Sequence, residues 1–310
     1  MTRLFLKFKI HMVCLALIAF LGQSCTPKKI ASDITAQIMT AGAPSFEMES
    51  DIEIAKNASM TMLKMIEAFQ YDNPKNKNLN TLLARSYANY TQGFVEFDML
   101  AFQDVDEAKY QKSFQRAKDF YTKGKDFGLK ALTTNGAYKR ALNKDLGTYE
   151  KALKSFGRGA VPQMFWTAMN WGSLINLSKD SPIAIAEFPK AEALMARVLK
   201  LDENYFYGGP HLFFGFSYGA RPKLFGGDLA KSKVHFEKAL SAYQRKFLMG
   251  LVFYAQIYAI EAKDAQLFDS LLNEVLSADA TALPEARLAN EMAKIRARWL
   301  LDNKAKFFSY

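Results

Sequence analysis

The sequence predicts an all-α protein, an array of helical hairpins with degenerate tetratricopeptide-like repeats. Apolar residues recur three and four positions apart along most of the 310 residues, which is the spacing of one helix face. Alternating runs of Val, Ile and Thr between hairpin turns, the pattern of a strand, are nearly absent. Several of the nine prolines stand where helices would begin. Half of the chain is hydrophobic, which allows a sizeable core.

The N-terminal segment has the order of an export signal. Arg3, Lys7 and Lys9 precede an apolar run over residues 12–21, without an acidic residue among them. The run is about half the length of the roughly 20 apolar residues that a membrane-spanning helix needs. We therefore expect residues 1–24 to be a signal peptide of the lipoprotein type.

Cys25 stands at the end of a segment that resembles a bacterial lipobox. Residues 21–25 read Leu-Gly-Gln-Ser-Cys, and the thiol of such a cysteine receives diacylglycerol before cleavage. Gly22 departs from the usual Leu, Val or Ile. The resemblance implies a mature protein that begins at Cys25, is held at a membrane surface by acyl chains such as palmitate, and lies in the bacterial periplasm. Residues 25–43 would be its tether. Ordinary secretion, with Cys25 as a free thiol, is the alternative.

Charge and cysteine content narrow the possible partners. Removing residues 1–24 takes away three cations, so the formal net charge falls from +10 to +7. The remaining charges are scattered, without an Arg-rich block, so we expect no nucleic-acid partner. Cys14 lies in the signal and Cys25 is the expected lipid site, so the mature body has no cysteine for an intramolecular disulfide.

Residues 44–158 are predicted to form an N-terminal helical part. A first helix ends before Asn73-Pro74, a second extends to about Phe102, and a third begins near Val105. The third helix runs to about residue 132, where a Thr-Thr-Asn-Gly cluster stops it. The apolar face of the first helix comprises Ala55, Ala58, Met62, Met65, Ile66 and Phe69.

Residues 159–310 are predicted to form paired helices that pack with the N-terminal part as one unit. The predicted pairs are 163–177 with 183–201, 210–218 with 228–243, and 247–262 with 265–276, closed by a helix over 284–301. In the second pair His211, Phe214 and Gly215 occupy positions where tetratricopeptide helices place packing residues. The connection within this pair is five residues longer than that repeat allows.

Two glycine pairs mark turns in the same region. Neither pair follows a strand, and a Gly-Lys-Ser/Thr motif is absent, so tight turns that enter helices explain them better than phosphate-binding loops. The structural loop motif comprises Gly208, Gly209, Pro210, Gly215, Pro222, Gly226, Gly227 and Asp228.

Residues suited to catalysis or metal binding are few. His211 and His235 are the two histidines of the mature chain, and no pair of histidines four residues apart stands beside a carboxylate. The sequence contains neither the Gly-x-Ser-x-Gly motif of serine nucleophiles nor a cysteine that could act as a nucleophile. We expect no enzyme activity, no catalytic residue, no metal and no cofactor.

Aromatic residues crowd the chain between positions 165 and 225. Most are expected in the core, whereas a surplus would line a cavity for an apolar ligand or a partner segment. The sequence alone does not divide the two groups. Arg221 either contacts a ligand carboxylate or caps a helix end. The candidate ligand or pore residues are Trp166, Trp171, His211, Phe214, Tyr218 and Arg221.

One block carries a resemblance to a known family. Residues 201–211 read Leu-Asp-Glu-Asn-Tyr-Phe-Tyr-Gly-Gly-Pro-His, and Arg221-Pro222, a Phe-Gly-Gly-Asp run at 225–228 and a His-Phe-Glu-Lys-Ala run at 235–239 follow. With Phe165-Trp166 and an Arg-Leu-Ala-Asn run at 287–290, the block resembles the TatT family. These are periplasmic T components associated with TRAP (tripartite ATP-independent periplasmic) transporters. The resemblance covers roughly residues 84–301.

The resemblance implies an all-helical lipoprotein that assembles as a homotrimer around a pore. Its implied partner is the TRAP solute-binding protein, docked so that an apolar or organic-acid ligand passes between the two. The alternative is a tetratricopeptide-like scaffold of the cell envelope that binds other proteins without a solute.

Overall fold

The structure, a computed structural model, describes residues 27–308. The signal peptide over residues 1–24 and the lipidation site Cys25 lie outside the described residues. Between residues 27 and 308 the chain is helical and contains no strand, which confirms the predicted all-α class.

The N-terminal part contains seven α-helices. They are α1 (Pro27–Glu47), α2 (Ile52–Asp72), α3 (Lys77–Tyr90), α4 (Glu96–Phe102), α5 (Glu107–Leu132), α6 (Gly136–Ala141) and α7 (Leu146–Leu153). A π-helical turn over Thr91–Val95 joins α3 directly to α4. The predicted second helix, which extends to Phe102, is therefore confirmed as one continuous run.

The C-terminal part continues the helical series. Its helices are α8 (Val161–Asn176), α9 (Pro182–Ala186), α10 (Phe188–Leu201), α11 (Tyr205–Gly219), α12 (Leu229–Ala242), α13 (Leu248–Phe253), α14 (Ala265–Ser277) and α15 (Arg287–Asp302). A second π-helical turn, Tyr254–Ala259, extends α13. The helix predicted over 183–201 is broken between α9 and α10. Pro189 has no backbone N–H to continue the α9 ladder, so the helix restarts there.

Short polar side chains begin most of these helices. Each accepts a hydrogen bond from a backbone N–H of the first turn, which would otherwise lack a partner. The capping residues are Asp51, Asn76, Asp106, Asn135, Asp145, Ser181, Asp228 and Asp264. Helix starts are thus encoded locally, whereas the faces that each helix buries depend on its neighbours.

Residues 27–43, expected as a tether, lie within α1. This helix packs on α2, α3 and α15. Ala36 is fully buried, and Glu47 at the end of α1 forms an ion pair with Arg85 of α3. The opposite face, with Ile30, Ile34 and Ile38 four residues apart, is exposed.

Apolar side chains fill two main cores. The first surrounds α8 and contains Met164, Trp166 and Leu194. The second lies among the C-terminal helices and contains Phe236 and Phe268. Of the apolar face predicted for α2, Ala55 and Ile66 are buried, but Met65 is 48% exposed because Leu63 occupies the core-facing position.

Helices α5 and α8 cross at two glycines. A methyl group added to Gly128 would lie 2.3 Å from Thr167 Oγ1, and one added to Gly124 would lie 2.0 Å from Asn170 Oδ1. The Asn170 amide is fully buried and donates hydrogen bonds to the carbonyls of Ala84, at 2.8 Å, and Trp166, at 2.7 Å. Backbones this close leave no room for a side chain between them.

The crossing gives a direct prediction. Gly128→Ala should lower the free energy of unfolding by about 1–3 kcal/mol, because the added methyl group overpacks the contact with Thr167. Gly159→Ala is the matched control, since nothing lies within 4 Å of its added methyl group, and should change stability by less than about 0.5 kcal/mol. Urea unfolding monitored by circular dichroism measures both. Equal effects would contradict the close crossing.

Candidate ligand cavity

A cavity of about 980 Å³ lies between the two parts of the chain. Its volume is at the upper end of the roughly 300–1,000 Å³ typical of ligand sites. Helices α1 to α3, α8, α10, α11, α13 and α15 all contribute to its walls. The walls are rich in aromatic rings, namely Phe46, Tyr90, Phe94, Phe165, Phe188, Phe206, Tyr207, Phe213, Phe216, Phe225, Phe247 and Phe253.

Helix α11 separates its aromatic residues between two faces. Leu212, Phe213 and Phe216 line the cavity. The other face packs on α12: a methyl group added to Gly215 would lie 3.0 Å from the Phe236 ring, and Ser232 Oγ donates to the Gly215 carbonyl at 2.7 Å. Each face follows the three-and-four spacing of a helix. One helix therefore supplies both the core and the cavity wall.

The first turn of α11 is left-handed. Phe206, Tyr207 and Gly208 have φ values of 47°, 59° and 72°, a conformation that is costly for the two aromatic residues. The turn directs Phe206 and Tyr207 into the cavity wall. Tyr207 stacks on Phe247 at 4.6 Å, and its hydroxyl donates to the Glu285 carbonyl at 2.8 Å. These contacts hold the turn in place.

The loop after α11 projects two apolar side chains. Leu224 is 88% exposed and Phe225 is 65% exposed. Gly226 has φ 85°, and a methyl group added to Gly227 would lie only 1.8 Å from the Arg221 carbonyl oxygen. Asp228 then caps α12 by accepting from the Lys231 N–H. Both glycines are thus required by the shape of the loop.

Three arginines line the cavity. Arg85 pairs with Glu47, and its guanidinium lies 5.7 Å from the centre of the Phe206 ring. Arg221 pairs with Glu192 at 3.3 Å, and its Nε donates to the Ser217 carbonyl at 2.8 Å near the end of α11. Arg221 therefore both reaches the cavity and caps a helix end. The third, Arg296, is the most deeply buried.

Glu96, which is half-buried, and Arg296, which is buried, are polar groups of the same wall. The Tyr121 hydroxyl donates to Glu96 Oε1 at 2.8 Å. Burial raises the pKa of Glu96, and the charge of Arg296 and the Tyr121 hydrogen bond oppose that shift. Burial likewise lowers the pKa of Arg296, which the Glu96 carboxylate opposes. Each charge thus makes the other less costly to bury.

The six ligand or pore candidates have separate locations. Arg221 lines the cavity. Trp166, Trp171 and Phe214 belong to the first core, and Tyr218 packs against it. The cavity wall contains aromatic side chains of the same types, such as Phe213, so residue type alone does not distinguish wall residues from core residues. Helical spacing divides α11 into two faces, but only the tertiary packing identifies the face that borders open space.

His211 faces α12, where it meets His235. Their Nδ1 atoms are 2.9 Å apart, and His211 Nε2 lies 3.3 Å from Glu203 Oε2. The geometry suits two neutral rings, in which His211 donates to Glu203 and accepts from His235. Burial lowers the pKa of His211, and burial with the neighbouring His211 lowers the pKa of His235 to about 4.

Metal-ligand clusters are absent from residues 27–308. Groups of three or more His, Cys, Asp or Glu side chains with the geometry to hold an ion do not occur there. Within the same residues, the helices lack the combined length and hydropathy needed to cross a bilayer.

Comparison with known proteins assigns the family. The family model of the TRAP transporter T-component matches residues 48–308. The chain belongs to this family. An uncharacterized protein of Treponema pallidum (strain Nichols) is 23% identical to this T-component over 265 residues, which are 85% of the present chain and 82% of the relative.

Membership of the family implies association with a TRAP transporter and a location in the cell envelope. The family consists of transport accessory components and is not an enzyme family. Among the described residues, the cavity has the volume and the apolar walls typical of small-molecule sites.

The histidine pair predicts acid sensitivity. His235 has an ordinary pKa of 6.5, which is its value in the unfolded chain, and a pKa of about 4 when folded. The unfolded chain therefore binds more protons between these values, and stability falls as the pH falls from about 6.5 to about 4. His235→Asn should reduce the fall in the urea midpoint between pH 7 and pH 5. An unchanged fall would contradict the neutral pair.

Proposed function

We propose that this T-component is a periplasmic lipoprotein that binds the TRAP solute-binding protein and takes up an apolar or organic-acid ligand. The observation that carries the proposal is the cavity of about 980 Å³ with its aromatic walls. A scaffold that only joins proteins has no need of such an interior space. Empty apolar space also costs packing contacts, which a bound ligand would restore.

Some of the side chains that line the cavity are also exposed on the protein surface. Ile185 of α9 and Phe225 of the loop after α11 both line it, and they are 44% and 65% exposed. Ile183, two residues before Ile185, and Leu224, directly before Phe225, are 79% and 88% exposed. We call these four residues the apolar rim. A ligand would enter or leave across it.

The apolar rim is the proposed docking surface for the solute-binding protein. Large exposed apolar side chains are costly in water and are typical of protein interaction sites. Docking there would cover the rim and join the receptor's ligand site to the cavity without passage through water. The family resemblance further supports assembly of the mature chain as a homotrimer around a pore, which light scattering in solution would measure.

The test uses the mature chain and a TRAP solute-binding protein from the same organism. We expect a stable complex by size-exclusion chromatography and calorimetry. Leu224→Asp with Phe225→Asp should weaken it about tenfold or more, because a buried charge replaces apolar contact. Val234→Asp, on α12 and 50% exposed, is the matched control and should leave the affinity unchanged.

Two outcomes would contradict this proposal. If the purified chain binds envelope-assembly proteins but not the solute-binding protein, it acts as a scaffold without a solute. If the complex forms and the Leu224→Asp/Phe225→Asp double variant binds as tightly as the parent, the receptor docks elsewhere.

Lipid anchoring depends on Cys25. The parent protein should partition into the detergent phase and carry acyl chains on its N-terminal residue. Cys25→Ala should abolish both, because the acceptor thiol is lost, whereas Cys14→Ala within the signal should change neither. Phase partition and intact-mass measurement provide the readouts. A Cys25→Ala protein that stays membrane-bound with unchanged mass would contradict the anchor.

A further inference from the structure

Arg296 is a buried cation without a hydrogen-bonding partner. Its side chain on α15 is 7% exposed and lines the cavity. A guanidinium has five N–H donors. The described residues offer none of them a hydrogen bond, and no carboxylate lies within the 4.0 Å of an ion pair. Its neighbour is the Phe253 ring, whose centre lies 5.6 Å from the guanidinium carbon.

The other two arginines of the cavity differ from Arg296, because each of them forms an ion pair. Arg85 is paired with Glu47, and Arg221 is paired with Glu192. Both are more exposed than Arg296, and so could have remained solvated without a partner. The arginine with the least access to water is thus the one whose charge the protein leaves unpaired. Such a group is costly to bury unless something satisfies it.

Glu96 does not satisfy it. Its carboxylate acts on Arg296 only from beyond ion-pair distance, and Oε1 is occupied by the Tyr121 hydroxyl. Two further polar groups of the cavity lack partners, namely Gln256 Oε1 and Ser217 Oγ. Gln256 follows Phe253 by three residues and belongs to the second π-helical turn. Turns of this kind occur frequently at functional sites.

The cavity therefore has unsatisfied polar groups in otherwise apolar walls. We propose that Arg296 binds the acid group of an amphiphilic carboxylate, whose apolar chain lies along the aromatic wall. A planar carboxylate matches the paired donors of a guanidinium. One negative charge balances one arginine, whereas a phosphate dianion would leave excess negative charge beside Glu96. This inference rests on the proposed function, in which the cavity is the ligand site.

Glu96 modulates the same subsite. Its carboxylate attracts Arg296 and repels a second carboxylate. Removing its charge should therefore strengthen the binding of an anion, whereas removing the charge of Arg296 should weaken it. Glu96→Gln keeps an oxygen that can accept from Tyr121, so it changes the charge and preserves the hydrogen bond.

The experiment compares three probes of equal chain length on the purified mature protein. Calorimetry with decanoate, decanol and decylamine separates the charge of the head from the apolar chain. We expect decanoate to bind the parent roughly 10- to 100-fold more tightly than decanol, as for a charge-assisted hydrogen bond. Decylamine should bind more weakly than decanol.

Variants assign the preference to one residue. Arg296→Met should abolish the preference for decanoate over decanol, and Glu96→Gln should increase that preference. Arg298→Met is the matched control, because Arg298 is exposed on the same helix and should not matter. Thermal unfolding verifies that each variant folds.

The outcomes separate this inference from the proposed function. If the parent binds decanol as tightly as decanoate, or if Arg296→Met keeps the preference for decanoate, the assignment of a carboxylate site to Arg296 is wrong, even when the receptor complex forms. If decanoate binding follows Arg296 but the solute-binding protein does not bind, the subsite stands and the proposed receptor partnership fails.

Discussion

The close crossing of α5 and α8 is the constraint on which the rest of the structure depends. Gly124 and Gly128 let the two backbones meet, and Asn170 fills the junction with hydrogen bonds to α3 and to its own helix. This fixes the rotation of α8 about its axis. One side of α8 then belongs to the first core, and the side with Met169, Gly172 and Ser173 lines the cavity. Any side chain at the crossing would displace that wall.

Much of the fold follows from local sequence. Asp, Asn and Ser at the helix starts, together with three-and-four apolar spacing, predict most helices and their ends. The break at Pro189 has a local cause as well. The left-handed conformation of Phe206 and Tyr207 does not, because aromatic residues give no signal for positive φ. That turn is held by tertiary contacts, such as the stacking of Tyr207 on Phe247.

The site was less accessible to sequence reasoning than the fold. Phe213 and Phe214 are adjacent and chemically identical, yet one lines the cavity and the other is core. Arg221 was identified within the family block, whereas Arg296 lies in a run of ordinary helical pattern. Its importance comes from a missing partner, and the presence of a partner depends on distances between helices that the sequence does not encode locally.

In the proposed lipid-anchored form, helix α1 would also define how the body is attached to a membrane surface. It spans 21 residues, about 30 Å, and packs against α2, α3 and α15 of the body. A single residue, Thr26, separates Cys25 from its first residue. If Cys25 is acylated, the connection between the lipid and α1 is very short. The orientation of the folded body relative to the membrane would therefore be fixed. In the proposed complex, the solute-binding protein would then have to dock in one orientation relative to the membrane.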